Sequence, residues 1–379
     1  MANQNERSAR ASGQTPNKIT CGSLPLDAAA PAVRTARYST NIGTNMPAAT
    51  YDVLGIGNAI VDIIAHADDD VLVAHNLHKG SMQLVDEARV ESLQAAGGKP
   101  TFVSGGSAAN TTVGLARLGC RSAFIGKVKA DPAGDAFTHD IRAAGVHFAT
   151  PPARDGAATA RCLIFVTPDG QRTMNTYLGA SQALYESDVD AKLVTGSRII
   201  YLEGYLWDPP HAKRAFLRAA KLAHEAGRKV ALSLSDSFCV DRYRDEFIDL
   251  MRSRTVDIVF CNQSELHSLY ETADLETAIE ALQREGVLAV VTRSEEGCVI
   301  VGNDGTRAVP AAPIDNLVDT TGAGDLFAAG FLAGLVRGRD HETCARLGAL
   351  AAAEVIQHIG ARPVADLREL AAKSGLALS

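Results

Sequence analysis

Several features that would mark other classes of protein are missing from this 379-residue sequence. Its seven cysteines are scattered, odd in number and form no C-x-x-C pair. That pattern argues against a disulfide framework or a zinc site and favours reduced thiols in the cytoplasm. No apolar run approaches the roughly 20 residues that a transmembrane helix needs, so we expect no membrane partner.

Two common nucleotide-binding signatures are absent as well. The pattern G-x-x-x-x-G-K-[ST] does not occur, and Gly55-Ile56-Gly57 lacks the third glycine of a dinucleotide fingerprint because Ile60 stands there. Neither H-R-D nor D-F-G is present, which excludes a protein kinase. The formal net charge of −7 gives no sign of nucleic-acid binding. Any phosphate chemistry must use another scaffold.

Residues 1–49 differ in composition from the rest of the chain. They are rich in Ala, Ser, Thr, Asn and Pro without sustained periodicity, which predicts a disordered N-terminal extension. An organelle transit peptide is the alternative, since arginines occur there with few acidic residues. Met46 lies just before the first predicted strand, so the natural chain could also begin there.

From Tyr51 onward, short apolar runs alternate with helical patterns. This alternation is typical of a mostly parallel sheet covered by helices on both faces. The hydrophobic content of 46% is enough to build such layers. We predict strands at 52–57, 122–126, 198–202, 229–234, 257–260 and 288–291, and helices at 107–118, 133–144, 209–226, 241–253 and 273–285.

One stretch breaks the alternation. Residues 158–166 and 171–177 flank a Thr167-Pro168-Asp169-Gly170 turn, which predicts a β-hairpin. Residues 61–84 also look like strand. Strands from about 61–84 and 157–178 would form a small separate sheet that acts as a lid. An ordinary edge hairpin is the alternative.

Polar side chains stand at the ends of several predicted strands. They are Asn58, Asp62, Glu203, Asn262, Glu265 and Thr292. In an open α/β sheet, ligands bind beyond the carboxyl ends of the strands. We therefore expect these side chains to converge on one rim of the sheet and to form a binding site there.

The most informative stretch is Asp319-Thr320-Thr321-Gly322-Ala323-Gly324-Asp325, which leads into an apolar helical segment at 326–335. Glycine weakens a helix by roughly 0.5–1 kcal/mol relative to alanine, so two glycines at a helix start suit a close ligand better than they suit stability. The free N–H groups of a first turn bind anions. A carboxylate beside such a phosphate cradle predicts a kinase, whereas a simple interaction of Asp325 with the helix dipole is the alternative.

The sequence resembles the ribokinase and adenosine kinase superfamily, also called PfkB sugar kinases, over roughly residues 51–375. Gly105-Gly106-Ser107-Ala108-Ala109-Asn110 is similar to the first signature of that family, and residues 319–325 match the second. The resemblance implies a ribokinase-like three-layer α/β sandwich over residues 50–379, with a mostly parallel central sheet and a small β-sheet lid. It also implies transfer of the ATP γ-phosphate to a primary hydroxyl.

The resemblance further implies roles for individual residues around the transferred group. Asp325 would be the general base, and the amides of Gly322, Ala323 and Gly324 would form an anion hole. Binding of the acceptor is implied for Asn58, Asp62, Gly105, Gly106, Asn110 and Glu203.

On the nucleotide side, ATP binding is implied for Asn262, Thr292, Arg293, Gly297 and Gly324. Glu265 would hold Mg2+ through water, although Asn262 could instead cap a helix. Asp319 and Thr321 match positions that shape a monovalent cation site in some relatives, which makes K+ a candidate cofactor.

The identity of the acceptor is less sharply defined. An Asn four residues before the Asp, as in Asn58 and Asp62, resembles adenosine kinases, whereas Glu203 resembles a polyol-binding position of ribokinase-like members. We predict phosphorylation of adenosine to AMP, with another nucleoside or a sugar kinase of the ribokinase or fructokinase type as alternatives. A non-catalytic nucleotide or sugar sensor is the alternative of another class. Relatives include dimers that form through the lid, so a homodimer is an option.

Overall fold

The computed structural model describes residues 48–378. The predicted extension at 1–49 and the alternative start at Met46 lie outside these residues, apart from positions 48 and 49, so both stay predictions. The strands are β1 (Tyr51–Ile56), β2 (Ile60–His66), β3 (Met82–Leu84), β4 (Thr101–Gly105), β5 (Ser122–Ile125), β6 (His147–Phe148), β7 (Ala160–Val166), β8 (Arg172–Tyr177), β9 (Ser197–Glu203), β10 (Lys229–Ser233), β11 (Ile258–Asn262), β12 (Leu288–Thr292), β13 (Cys298–Gly302) and β14 (Gly305–Val309).

Twelve α-helices join these strands within the described residues. They are α1 (Asp69–Ala74), α2 (Glu87–Gln94), α3 (Ser107–Arg117), α4 (Pro132–Ala143), α5 (Ala191–Thr195), α6 (Pro210–Glu225), α7 (Ser237–Arg252), α8 (Gln263–Tyr270), α9 (Leu275–Arg284), α10 (Ala323–Leu335), α11 (His341–Val355) and α12 (Leu367–Lys373). Short 3-10 turns occupy Gly179–Gln182, Glu186–Asp188, Gly204–Trp207 and Ser294–Glu296.

The central sheet contains nine strands in the order β14-β13-β12-β11-β10-β9-β1-β5-β6. Neighbouring strands from β12 to β6 run parallel, and only β13 and β14 are antiparallel at one edge. Strands covered on both faces are apolar where they are buried, which is why β1 is apolar from Val53 to Ile56. The mostly parallel sheet that the sequence predicts is confirmed.

Helices cover both faces of this sheet and complete three layers. Successive residues of a strand point to opposite faces. Val53 of β1 accordingly joins a core with α3, α10 and α11, whereas Leu54 and Ile56 join a second core with α6, α7 and α8. The predicted three-layer α/β fold is confirmed, and its two cores hold the helix N-termini at fixed positions above the sheet.

A second sheet has five strands in the order β3-β8-β7-β2-β4. Strands β7 and β8 form the predicted hairpin, with Val166 opposite Arg172 beside the turn. Two details differ from the prediction. Part of the strand-like region at 61–84 forms helix α1, whose first turn carries Asp69 and Asp70 and is thus suited to a helix start. Strand β4, which was not predicted, joins the sheet beside β2.

Helix α7 begins at Ser237, earlier than the predicted 241. The Asp236 carboxylate caps this helix by accepting a hydrogen bond from Cys239 N at 2.6 Å. Strands β13 and β14 were not predicted either. Strand β14 lies at the edge of the sheet and carries exposed residues, so its apolar pattern is weak, whereas β13 is apolar and buried throughout and could have been found in the sequence.

Helix α10 packs closely against α11 through glycine. A Cβ atom added to Gly330 would lie 2.4 Å from the carbonyl oxygen of Leu347. Only a residue without a side chain allows the two backbones to approach this closely. The contact holds α10, and therefore its N-terminus, at a fixed depth in the core.

Replacing Gly330 with alanine tests this close packing. Helix propensity alone predicts that G330A gains about 0.5–1 kcal/mol. Because the added methyl group would meet backbone atoms of Leu347 and Gly348, we expect instead a loss of about 1–3 kcal/mol in the free energy of unfolding, measured by urea denaturation. Gly324→Ala is the matched control for stability, since nothing lies within 4 Å of its added Cβ. A stabilised G330A would contradict the packing.

Candidate active site

The carboxyl ends of the central strands meet the N-termini of α3 and α10 at one rim of the sheet. Asn58 follows β1, Glu203 ends β9, and Asn262 lies opposite Thr292 where β11 and β12 end. Asp62 reaches the same rim from strand β2 of the second sheet, and its ionisation is coupled to that of Asp325. The structure therefore brings together the polar residues that the strand ends predicted.

The N-terminus of α10 is open. Gly322 enters the helix with φ +81°, a conformation that side chains disfavour. No side chain among residues 48–378 caps this helix. Gly324 is exposed, and nothing lies within 4 Å of the place where its Cβ would be. The start of α10 thus leaves space beside Gly324 for an anion, although Ala323 N already donates to Thr320 O at 3.2 Å.

The Asp325 carboxylate bonds to the first turn of α3 instead of capping its own helix. Its Oδ1 accepts a hydrogen bond from Ser107 Oγ at 2.6 Å, and its Oδ2 accepts one from Asn110 Nδ2 at 2.9 Å. Burial raises the pKa of Asp325, while the two hydrogen bonds and the charge of Arg362 oppose that rise. A carboxylate with a raised pKa is suited to act as a general base.

The side-chain carboxylate of Asp62 accepts no hydrogen bond from any of the described residues. Its carboxylate packs against Gly105, where an added Cβ would lie only 2.4 Å from Oδ2. Burial raises the pKa of Asp62 to about 6, although Arg362 and Arg172 favour its charged form. Nearby, Asn110 Oδ1 is also buried without a partner. The pocket therefore contains a carboxylate and an amide oxygen that are free to accept hydrogen bonds from a ligand.

Asn58 and Glu203 bond mainly to the protein itself, and each is 1% exposed. Glu203 Oε1 accepts hydrogen bonds from Asn58 Nδ2 at 2.7 Å and from Asn58 N at 3.3 Å, and Oε2 accepts one from Ala108 N at 2.8 Å. Gln182 Nε2 donates to Asn58 Oδ1 at 3.1 Å. Burial raises the pKa of Glu203 to about 7. This pair ties the end of β1 to the start of α3, and direct contact with a substrate stays a prediction.

Gly106 makes this arrangement sterically feasible. Its φ is +98°, and an added Cβ would lie 2.1 Å from the carbonyl oxygen of Asn58. Any other residue would therefore push the start of α3 away from the end of β1.

Asn262 and Glu265 form a capping box at the start of α8. Glu265 N donates to Asn262 Oδ1 at 2.9 Å, and Asn262 N donates to Glu265 Oε2 at 3.2 Å. Burial raises the pKa of Glu265 to about 7. The cap that the sequence offered as an alternative is thus present. A carboxylate has further lone pairs for water molecules, so the cap is compatible with the predicted metal contact.

The loop after β12 is a tight turn. Arg293 N donates to Gly297 O at 2.7 Å, and the Arg293 side chain forms an ion pair with Glu296. Gly297 has φ +82°, and a Cβ there would lie 2.1 Å from Val309 O. The geometry therefore explains why glycine stands at this turn, whereas ATP binding by this loop stays a prediction.

The Asp319 carboxylate is buried and contacts three donors. It pairs with Arg172 of the lid and accepts hydrogen bonds from Thr321 N at 3.0 Å and Gly360 N at 2.9 Å. The guanidinium already supplies a positive charge at this carboxylate. The donor set therefore does not fit a K+ ion bound through Asp319, and the pair instead links the lid to the loop before α10.

Three contributors to the site were missed. Ser107 lies inside a glycine-rich signature and could have been found there, but Gln182 and Arg362 carry no local sequence signal. Arg362 lies in the loop after α11 and contacts the junction between β4 and α3.

No group of three or more metal-ligating side chains in residues 48–378 is placed to hold a metal ion alone. None of the described helices has the length and apolar character needed to cross a bilayer.

Comparison with known proteins gives consistent matches. A family model described as pfkB family carbohydrate kinase matches residues 80–367. The adenosine kinase structure from Sinorhizobium meliloti is 54% identical, with a TM-score of 0.80, and the match covers 86% of this chain and 100% of that one. A probable sugar kinase protein from Rhizobium etli is 52% identical, with a TM-score of 0.81 and coverage of 86% and 99%. Adenosine kinase of Saccharomyces cerevisiae is 29% identical over 336 residues, which are 82% of this chain and 96% of the yeast protein.

Titration of single carboxyl groups tests the electrostatics of the site. Because burial disfavours the charged form, we expect Asp62 to titrate at a pH of about 6 and to lose its charge as the pH falls through that value. Carbon-13 NMR of labelled carboxyl groups measures the midpoint, and D62N assigns the signal. Asp169 is the matched control, since hydrogen bonds from Lys79 and Thr167 lower its pKa to about 2. A midpoint for Asp62 at the ordinary aspartate value of about 3.9 would contradict the burial.

Proposed function

The chain belongs to the pfkB family of carbohydrate kinases, and we propose that it transfers the γ-phosphate of ATP to the 5′-hydroxyl of adenosine, giving AMP. It is a phosphotransferase with an alcohol group as acceptor. The observation that carries the proposal is the contact of Asp325 with Ser107 and Asn110 at the open N-terminus of α10. That contact places a base and an anion-binding backbone side by side.

In the proposed reaction, Asp325 removes the proton of the acceptor hydroxyl. Each of its carboxylate oxygens accepts one hydrogen bond from the protein and retains a lone pair for that proton. A positioned base of this kind contributes about 10²–10⁴-fold to the rate. As the hydroxyl oxygen forms its bond to the γ-phosphorus, the bond from that phosphorus to the oxygen bridging the β- and γ-phosphates breaks, and ADP leaves with the bridging oxygen. The proton stays on Asp325 during the transfer and passes to solvent when the product leaves.

The amides of Gly322, Ala323 and Gly324 stabilise the negative charge on the transferring phosphoryl group. Ala323 N donates to Thr320 O at 3.2 Å in this structure, a long hydrogen bond that a phosphoryl oxygen can replace. Phosphoryl transfer depends almost entirely on positioning and on charge stabilisation, so fixed amides and a helix dipole suit this step.

Asp62 and Asn110 bind the hydroxyls of the acceptor. A carboxylate accepts two hydroxyl hydrogen bonds at once, and no donor in residues 48–378 competes with them at Asp62. The cis-diol of a ribose ring matches this demand. Gly105 and Gly106 allow the backbone to approach the sugar closely, while Asn58 and Glu203 support the pocket from behind.

ATP and a divalent metal ion are the cofactors that kinase relatives imply. In our proposal Asn262, Thr292, Arg293 and Gly297 bind the nucleotide at the ends of β11 and β12. Glu265 offers the oxygen ligand that Mg2+ prefers, with water completing the shell, and the metal would offset phosphate charge. K+ is not part of the proposal, because Arg172 already pairs with Asp319.

A nucleoside acceptor is supported by the adenosine kinases of S. meliloti and S. cerevisiae, which match this chain along nearly their whole length. The adenosine kinase of S. meliloti is covered completely, whereas the match to a probable fructokinase of Arabidopsis thaliana covers 62% of that protein. A sugar kinase is the second candidate, supported by the resemblance to the R. etli protein. A non-catalytic sensor does not require a desolvated carboxylate beside an anion-binding site.

Two further properties complete the proposal. The described cysteines are all free and buried, which fits a reducing compartment such as the cytoplasm.

The lid exposes the apolar side chains of Met82, Leu84 and Phe102. Apolar side chains on an exposed sheet favour a contact with another protein surface, and a homodimer through the lid would cover them.

A coupled ADP-release assay tests the acceptor. We expect adenosine to give the highest kcat/KM in a panel with inosine, guanosine, ribose and fructose, because a furanose diol and a base fill the pocket together. Incubation without acceptor controls for ATP hydrolysis. Preference for free ribose or fructose would establish the sugar kinase instead, and binding of nucleosides without any ADP release would favour the sensor.

Asp325→Asn tests the base. The amide keeps the size of the side chain but cannot take the hydroxyl proton, so we expect phosphoryl transfer to fall by about 10²–10⁴-fold. ATP affinity, measured by calorimetry, and the melting temperature should stay close to wild type. Glu265→Gln tests the nucleotide side of the site separately from the acceptor side, since it should weaken metal-dependent nucleotide binding. Wild-type turnover by D325N would remove Asp325 from the mechanism.

A further inference from the structure

Arg362 is a largely buried arginine with no assigned role. Its Nε donates to the carbonyl oxygen of Ser104 at 3.0 Å, and its Nη1 donates to that of Ala109 at 3.3 Å. Its Nη2 also donates to Ser104 Oγ at 2.8 Å, and the same hydroxyl donates to Asp140 at 2.6 Å. The guanidinium is therefore held in one orientation by the backbone on both sides of the β4–α3 junction.

These two carbonyl groups lie next to the residues that hold the two acids of the site. Ser104 precedes Gly105, against which the Asp62 carboxylate packs. Ala109 precedes Asn110, which donates to Asp325. Arg362 thus bridges the two segments that position Asp62 and Asp325.

The charge of Arg362 acts on both acids. It is the largest influence that favours the charged form of Asp62, and it also lowers the pKa of Asp325 against the effect of burial. Burial lowers the pKa of Arg362 itself to about 10, so the guanidinium stays charged at neutral pH. Two negative charges in a poorly solvated site repel each other. A fixed cation beside them reduces the free-energy cost of keeping both carboxylates charged.

We propose that Arg362 is a positioning residue that keeps Asp62 and Asp325 ionised and correctly oriented in the acceptor site. This role concerns the same site as the proposed function, and it rests on that function. Arg362 touches neither the acceptor hydroxyl nor the phosphoryl group in this proposal. It acts through the two carboxylates, and a larger fraction of them is protonated, and therefore inactive, at low pH when the guanidinium is removed.

Other ionisable groups surround these acids and must be considered in any pH profile. They are Arg117, Asp140, Cys162, Arg172, Tyr201, Glu203 and Tyr205. Burial raises the pKa of Cys162, Tyr201 and Tyr205 to about 12 or beyond, so they stay neutral in the working range. Glu203 is the one close group that also titrates near neutrality, with a pKa of about 7.

Variants at position 362 separate charge from packing. R362M removes both the charge and the hydrogen bonds, R362Q removes the charge and retains a donor for Ser104, and R362K retains the charge. Arg337→Met is the matched control. Arg337 also donates to backbone carbonyls of α3 and α10, those of Leu118 and Ala333, but at the opposite ends of these helices.

The pH dependence of kcat/KM with adenosine is the kinetic readout. We expect the acidic limb to move up by about one pH unit in R362M and R362Q, which corresponds to about a tenfold loss at pH values well below the wild-type midpoint and to recovery above pH 8. R362K should stay close to wild type, and R337M should lose stability without moving the limb. If the acidic limb of the pH profile stays in place in both R362M and R362Q, the role of Arg362 is structural only.

Carboxyl NMR gives a second readout that needs no activity. The midpoints of Asp62 and Asp325 should rise in R362M and R362Q relative to wild type and R337M. If the wild-type protein phosphorylates no acceptor, the proposed function fails while this titration still decides the role of Arg362. Unchanged midpoints in an active enzyme would overturn the inference and leave the proposed function intact. If R362M fails to fold, R362Q carries the test.

Discussion

The meeting of two helix N-termini is the constraint on which the rest of the site depends. A Cβ on Gly114 of α3 would lie 2.7 Å from a side-chain carbon of Leu326 in α10, so a glycine is needed for the helices to approach this closely. Their approach brings Ser107 and Asn110 to Asp325. On an isolated helix the same acid would contribute about 0.3–1 kcal/mol through the dipole. Between two helix starts the same acid is desolvated and has a raised pKa, which suits the role of base that we propose for it.

Three buried acids share this rim, and their hydrogen-bond partners set their roles apart. Glu203 receives three protein donors and supports the fold around the pocket. Asp325 receives two and retains lone pairs for a proton. Asp62 receives none among the described residues, which suits the ligand-binding role that we propose for it. All three have a raised pKa, with burial as the largest cause, so the number of donors rather than the residue type distinguishes them.

Local patterns predicted much of the fold and only part of the site. Apolar periodicity located the parallel strands and the lid hairpin, because strands covered on both faces leave a strong pattern. It missed α1, β4 and the β13–β14 edge, where pairing partners and local acids decide the structure. Glycine-rich turns and polar strand ends placed Asp325 and Asp62 at the correct rim. The bond between Arg172 and Asp319 and the reach of Arg362 join residues far apart in the chain, so no local pattern could predict them.

The sequence by itself determined the layer order, the two glycine turns and the acids available to the site, because these depend on short-range sterics and on burial. Only the tertiary structure decided how each acid is used. Glu203 came to accept hydrogen bonds from Asn58 and Ala108. Asp319 acquired an internal cation, and the charge of Arg362 came to act on two carboxylates. The physical reason is that desolvation and charge pairing act through space between elements whose positions are known only after the two cores have packed.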